Sequence, residues 1–399
     1  MHLDADAREL SLNPRDSEFY GDPYAAYREI RALSPVVYWR EFDRWCFFGH
    51  REVSATLRDR RFGRSLEGVE GVDVNVPILD VDRFSLLEME PPSHTRLRRL
   101  VQGAFIARRI ETLRPRVEAL CHELIDGFEA KGEVDLLPSF ATPVPLVVIA
   151  ELLGVPTSMG QQLLDWSHDM VAVYELDPSA EQIADARRSA DEFVRFLRSY
   201  VARRRLEPRD DLLTQLIQAE EEGDRLSEEE LIATCILLLN AGHEATVNVI
   251  GNGILALLRH PEQLERWRRD PSLTPSAIEE LLRFDTPLHL FNRFAREDIR
   301  VGDLELRAGM EVSLVLGSAN RDPAVFDHPG DLDLARPRNA HVSFGAGLHY
   351  CLGAPLARLE LQTAFPIVLS RLGSLELAEE PRFKNSYHFR GLERLKVRF

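Results

Sequence analysis

Mainly α-helix with a minor β region is the fold class this sequence predicts, and three observations predict it. Apolar residues recur at helical spacing through most of the 399-residue chain. One such pattern opens at Ser227 and runs without a proline to about Leu258, on the order of 45 Å of helix. Runs of β-branched and aromatic residues are few and short. No internal repeat, low-complexity tract or long linker interrupts the chain, so 1–399 reads as one domain. At 44% hydrophobic and 29% charged residues it has the composition of an ordinary soluble globular protein.

Taken in order, the N-terminal MHLDADAREL is acidic and lacks an apolar stretch, so it is no signal peptide. Asp22–Leu33 is amphipathic and stops before Pro35. Val36–Phe48 reads as a hairpin turning at Asp43-Arg44. Helical patterns follow at Arg51–Arg58, His94–Phe105, Arg109–Gly127, Leu146–Leu153 and Ala180–Arg205. Leu146–Val155 is the most apolar run, but it is short and contains Glu151, so no membrane anchor is expected. A small β region spans Asp298–Gly317, with turns at Gly302-Asp303 and Ala308-Gly309. The last strands fall near Leu375 and within Arg390–Phe399.

The charge balance is 49 basic against 65 acidic residues, a net −16, which argues against a nucleic-acid binder because phosphates need a basic face. Cys46, Cys121, Cys235 and Cys351 lie far apart and form no C-x-x-C pair, so neither a disulfide framework nor a cysteine-rich zinc site is expected. Such usage suits a reducing cytoplasm.

Two segments carry chemistry. Ser227 with Glu230 forms a capping box at the start of the long helix. Leu231–Leu239 is apolar on nearly all sides, so that helix should be buried. Its middle reads Asn240-Ala241-Gly242-His243-Glu244-Ala245-Thr246, and a buried carboxylate beside a glycine is costly. Either this turn is exposed or Glu244 is paired, or the helix opens at Gly242 to hold a ligand or water. The second segment is Phe344-Gly345-Ala346-Gly347-Leu348-His349-Tyr350-Cys351-Leu352-Gly353-Ala354-Pro355. Its glycines imply a tight loop that lets something flat or bulky approach the backbone. A helix then runs from Ala354 to Leu372 with Pro355 in its first turn. Cys351 therefore sits at a helix N-terminus, where N–H groups favour a thiolate. A nucleophile would need a base such as His349. Zinc would need more ligands than His349 alone. A haem iron needs one protein ligand, and its flat macrocycle accounts for the glycines.

The loop resembles the haem-ligand signature F-G-x-G-x-H-x-C-x-G of the cytochrome P-450 monooxygenases, and every fixed position matches. Ala241-Gly242-His243-Glu244 resembles the oxygen-activating turn of that family's long helix, and Glu280-Leu281-Leu282-Arg283 its E-x-x-R motif. The resemblance runs from Asp22-Pro23-Tyr24 to Phe389-Arg390-Gly391-Leu392 and is to the soluble bacterial type. It implies the cytochrome P-450 fold, with haem b (iron protoporphyrin IX) between the long central helix and the cysteine-loop helix.

By the same resemblance, Cys351 is the axial iron ligand, and Phe344, Gly345 and Gly353 shape its loop. His94, Arg98, Arg293 and His349 hold the haem propionates, with Arg suited to a carboxylate by its planar fork. Glu280, Arg283 and Arg336 form a structural triad. Glu244 matches the acid of an acid–alcohol pair that delivers protons during oxygen activation, with Ala241 and Gly242 in the same turn. The alcohol should follow at once, but the chain has Ala245 there and Thr246 one place on. One residue of helix rotates a side chain by roughly 100°, so Thr246 cannot simply substitute. The substrate pocket would be lined by the loop 71–79, by Ala241, by Leu288, Leu290 and Phe291, and by His388 and Phe389. Those are mostly apolar, implying a small hydrophobic organic substrate.

The chain has no flavin or nicotinamide fingerprint, so its electrons should come from a ferredoxin and ferredoxin reductase, with dioxygen as co-substrate. Residues 96–116 hold seven arginines and one acid, a local charge of +6 that suits an acidic ferredoxin. The expected enzyme is a cytoplasmic monomer. The alternatives are a peroxide-driven oxidant, to which the absent hydroxyl at 245 lends weight, and a haem gas sensor.

Overall fold

The computed structural model describes residues 1–74, 77–221 and 224–399. Helices dominate and the central one runs unbroken over Glu228–Arg259. Its start is capped in both directions: Ser227 Oγ accepts from Glu230 N at 3.1 Å, and Glu230 Oε2 accepts from Ser227 N at 2.9 Å. Helices Pro143–Leu153, Ala180–Leu206, Thr274–Phe284 and Ala354–Arg371 pack on it. Their apolar faces form the largest core cluster, which includes Leu231, Ile250, Leu281 and Phe365.

A seven-stranded sheet lies to one side. Its order is His2–Asp4, Glu9–Ser11, Val36–Trp39, Arg44–Phe47, Glu311–Val315, Leu290–Ala295, Phe62–Gly63. The expected hairpin is present, with Val36 paired to Phe47, and Asp43 at φ 51° in its turn. Glu311–Val315 runs parallel to Arg44–Phe47 and antiparallel to Leu290–Ala295. The β region 298–317 thus splits. Ile299–Val301 and Leu304–Leu306 make their own hairpin, and only the third strand joins the large sheet. The C-terminal strand Lys396–Arg398 lies between Glu376–Leu377 and Glu133–Asp135.

Helix ends depart from the pattern where turn chemistry intervenes. The expected helix 109–127 breaks into Ala107–Glu111 and Arg114–Asp126, with Pro115 in the first turn of the second. The helix expected from Leu146 starts earlier, at Pro143. Among the described residues no helix is long and apolar enough to cross a membrane.

Candidate active site

The cysteine loop is held from three sides. Cys351 N donates to the Phe344 carbonyl at 3.0 Å, closing the loop on itself. Gly345 and Gly347 both sit at φ +67°, which a side chain disfavours. A Cβ on Gly347 would also collide with the Leu57 carbonyl, so helix His50–Arg58 abuts the loop only because that residue is glycine. Helix Ala354–Arg371 begins just after the cysteine, and burial pushes the thiol's pKa up, opposed by the Gly353 and Ala354 N–H groups and by Arg98 and Arg358. Those opposing groups would stabilise a thiolate, as a metal ligand requires. Cys46, Cys121 and Cys235 lie buried, and burial pushes each thiol up to about 12.

Helix Thr274–Phe284 fixes the approach to this loop. Glu280 and Arg283 are fully buried and paired bidentately at 2.8 Å on both arms. Arg336 Nε reaches the same carboxylate at 3.0 Å, as does Asn339 Nδ2. Arg283 also donates to the carbonyls of Asn320, Pro329 and Asp331. The structure therefore brings the three triad residues together. A second carboxylate, which the sequence reading passed over, works beside them. Glu279 accepts bidentately from Arg358 at 2.7 and 2.8 Å and meets His341 Nε2 at 3.0 Å, spanning both flanks of the loop.

The four expected propionate ligands converge but differ in what already holds them. His94 and His349 rings lie 4.6 Å apart. His349 Nε2 meets Glu90 Oε1 at 3.1 Å. Arg98 donates to the Leu348 and Tyr350 carbonyls at 3.2 and 2.7 Å. His94 is fully buried with neither ring nitrogen hydrogen-bonded. Arg293 is 2% exposed, and no carboxylate lies within ion-pair range of it among the described residues. Burial, with Arg64 nearby, pulls its guanidinium down to about 9. A buried cation and an unsatisfied imidazole at one place are costly unless an anionic group meets them. A haem with two propionates fits that demand. Arg64 and Glu90 belong to this cluster, and no motif in the sequence marked them.

Along the central helix, Ala241 is exposed and Ala245 half-exposed although most residues around them are buried. At i and i+4 they share one face, which the rest of the fold leaves uncovered. Three expectations need correction. The helix does not open at Gly242; a Cβ there would meet Ile149 Cγ1 at 3.0 Å, so the glycine serves close packing. Thr246, 5% exposed, lies on the packed side of the helix with Gly242, away from the open face. Leu290 does not line the pocket: it is 6% exposed and packs in the cluster with Trp39 and Val315. Strand alternation sends it to the face opposite Phe291. Leu288 and Phe389 do meet, as bridge partners, and Phe291 stands under the guanidinium carbons of Arg64 and Arg293, each 4.7 Å from its ring centre. Of the loop 71–79, Asn75 and Val76 lie outside the described residues.

Glu244 is buried and paired, not isolated. Its Oε2 lies 3.6 Å from His168 Nε2 and its Oε1 3.7 Å from Lys384 Nζ. Burial alone would raise its pKa, but His168, Lys384 and His243 outweigh that and hold the carboxyl down at about 2.

A thiol at a helix N-terminus in a glycine cradle, a buried helix open on one alanine face, and a buried arginine and an unsatisfied imidazole awaiting an anion define the class of haem-thiolate oxidoreductases. The chain belongs to the cytochrome P-450 family, whose model matches residues 80–394. A biotin-biosynthesis cytochrome P-450 of Bacillus subtilis is 37% identical, over 98% of this chain and 99% of its own. The 6-deoxyerythronolide B hydroxylase of Saccharopolyspora erythraea is 40% identical, over 95% of this chain and 96% of its own. A solved structure of P-450BioI, in complex with acyl carrier protein carrying hexadec-9Z-enoic acid, superposes with a TM-score of 0.90. That structure is 37% identical and covers 96% of this chain and 100% of its own. Members of the family bind haem, and the chain is an oxidoreductase of the monooxygenase kind. The gas-sensor alternative falls on that finding.

Proposed function

We propose that this chain, acting as one domain over 1–399, is a haem b monooxygenase that inserts one oxygen atom from dioxygen into a small hydrophobic organic substrate, with electrons from a ferredoxin and its reductase. The observation that carries the reading is Cys351 held at a helix N-terminus, with the buried Arg293 guanidinium that no carboxylate pairs and the His94 imidazole that has no hydrogen-bond partner. Bound haem, ligated by Cys351, supplies the oxygen-activating chemistry. The chain's own residues do the rest. His94, Arg98, Arg293 and His349 would hold the propionates, and Ala241 and Ala245 leave one face of the central helix uncovered. Leu288, Phe291 and Phe389 give the substrate side an apolar lining. Glu244, ionised at neutral pH, accepts hydrogen bonds and orders water rather than standing as a loaded acid.

A peroxide-driven reaction is the second reading, favoured by Ala245, which offers no hydroxyl near the open face. Reduced protein treated with carbon monoxide should show the strongly red-shifted Soret band of thiolate ligation. Cys351→Ala should lose it, while Cys46→Ser, Cys121→Ser and Cys235→Ser keep it. An unshifted band from folded wild type would sink the proposal. Product yield with NADH, ferredoxin and reductase, compared with peroxide alone, separates the two oxidant sources.

A further inference from the structure

His168, His243 and Glu244 come from two elements that the haem chemistry does not join. His243 and Glu244 are on the central helix. His168 is on helix Gly160–Val171, which packs across it. One ligand atom from each lies within 4.8 Å of the other two. Glu244 Oε2 is 3.6 Å from His168 Nε2 and 3.9 Å from His243 Nε2.

The tautomer of His243 is fixed by its surroundings. Its Nδ1 is 2.8 Å from the Leu239 carbonyl, which can only accept, so Nδ1 carries the hydrogen. Nε2 is then a bare lone pair. It is buried and has no hydrogen-bond partner. A neutral lone pair facing a carboxylate oxygen is an acceptor against an acceptor. The pair is satisfied by a cation placed between them, and the exposed His168 ring completes a third side.

We propose that His168, His243 and Glu244 form a binding site for a divalent transition-metal ion of the zinc class, which pins helix Gly160–Val171 to the central helix. Two imidazoles and one carboxylate suit zinc and its neighbours rather than magnesium or calcium, which prefer all-oxygen sets. Zinc bonds of about 2.0–2.1 Å need the ligand atoms closer together than they stand. His243 and Glu244 are held by burial, whereas His168, with 56% of its side chain exposed, is free to close that distance. Nδ1–H on the Leu239 carbonyl supplies the outer hydrogen bond that orients a ligating histidine. Lys384 sits on the other carboxylate oxygen, Oε1, and competes for its charge without occupying the metal position. Bound metal would take Glu244 away from proton handling, so the ion acts as a brake on turnover and as a latch on this helix.

The test uses tag-free, haem-loaded enzyme titrated with zinc chloride, with bound zinc counted after desalting and heats measured by calorimetry. Wild type should retain one zinc per chain at micromolar zinc. His168→Ala, at an exposed position, should lose it, by more than the roughly 10–100-fold that loss of an outer-shell partner costs. His243→Ala should lose it as well, and Lys384→Gln should bind zinc more tightly. Zinc should slow amide exchange in Gly160–Val171 in wild type and not in His168→Ala. Wild type that binds no zinc, or zinc retained equally by His168→Ala, overturns the proposal. Haem spectra of each variant show that the fold is intact.

Discussion

An alanine methyl at position 245 neither donates nor accepts a hydrogen bond, and that single side chain sets what the oxygen side of this site lacks. Ala245 shares the open face with Ala241, so a hydroxyl introduced there would stand where water could be held. Ala245→Thr should raise product formed per NADH for poorly coupled substrates by about fivefold, the equivalent of one hydrogen bond of about 1 kcal/mol. Thr246→Ala should leave coupling unchanged, because Thr246 is on the packed side of the helix. A loss of coupling in Thr246→Ala would show that its hydroxyl does reach the chemistry. The motif residues were legible in the sequence because each occupies a fixed place in a long constrained pattern. Gly242 and Leu290 were misread for another reason: the packing of Ile149 on the glycine and of Trp39 and Val315 on the leucine joins residues far apart in sequence. Arg64, Glu90, His168 and Lys384 were invisible, since each acquires its role only through a partner at least 24 residues away.

Two elements show how packing overrules local preference. In the central helix, a Cβ on Gly253 would stand 2.6 Å from Phe365 Cζ and 3.1 Å from Leu281 Cδ1. Helix propensity favours Ala over Gly by about 1 kcal/mol. Overpacking a filled core costs about 1–3 kcal/mol, so Gly253→Ala should lower stability in urea despite the better helix former. Phe365→Leu in the same chain should recover part of the loss, because residues in contact do not add independently. Helix Thr274–Phe284 makes the opposite case, where a pair that looks unfavourable is held by context. Glu280→Gln would leave Arg283 and Arg336 buried without their shared anion, a loss of about 3–5 kcal/mol. The readout is the urea midpoint together with the fraction of purified protein carrying thiolate-ligated haem. Both should fall, since Arg336 and Asn339 fix the segment leading into the cysteine loop. The sequence marked this segment only through the resemblance of Glu280–Arg283 to the E-x-x-R motif. It did not show that Glu279, one residue earlier, clamps the loop's far flank. Helices 160–171, 212–218 and 261–269 were not separately read, because short amphipathic stretches between polar turns carry weak periodicity.

Whole-molecule charge joins stability to partner choice. His289 is 2% exposed beside Tyr27, and burial with Arg390 pushes its pKa from 6.5 down to about 3, opposed by Asp285. Below pH 6.5 the unfolded chain therefore takes up a proton that the native chain refuses until about pH 3, so stability should fall across that window. One such group contributes a slope of up to about 1.4 kcal/mol per pH unit, which His289→Gln should remove from the urea-versus-pH curve. The same balance of burial and charge governs the surface. Of the seven arginines in 96–116, Arg96 pairs with Glu230 and Asp224, Arg98 spans the cysteine loop, and Arg114 and Arg116 pair with Glu111 and Glu151. The local +6 read from the sequence is thus partly spent inside the fold. Arg99, Arg108 and Arg109 stay exposed, on the segment that Arg98 anchors to the cysteine side. Arg108 and Arg109 line a groove of about 660 Å³ with Ile106 and Leu113. A basic patch on a chain of net −16 steers an acidic partner to one place and repels it elsewhere. Arg108→Glu with Arg109→Glu should slow reduction by an acidic ferredoxin about tenfold or more at low salt, with the gap closing as salt screens the patch. Peroxide-driven turnover should be unaffected, because no partner docks in that reaction. Reduction rates indifferent both to these reversals and to ionic strength would place the electron entry on another face.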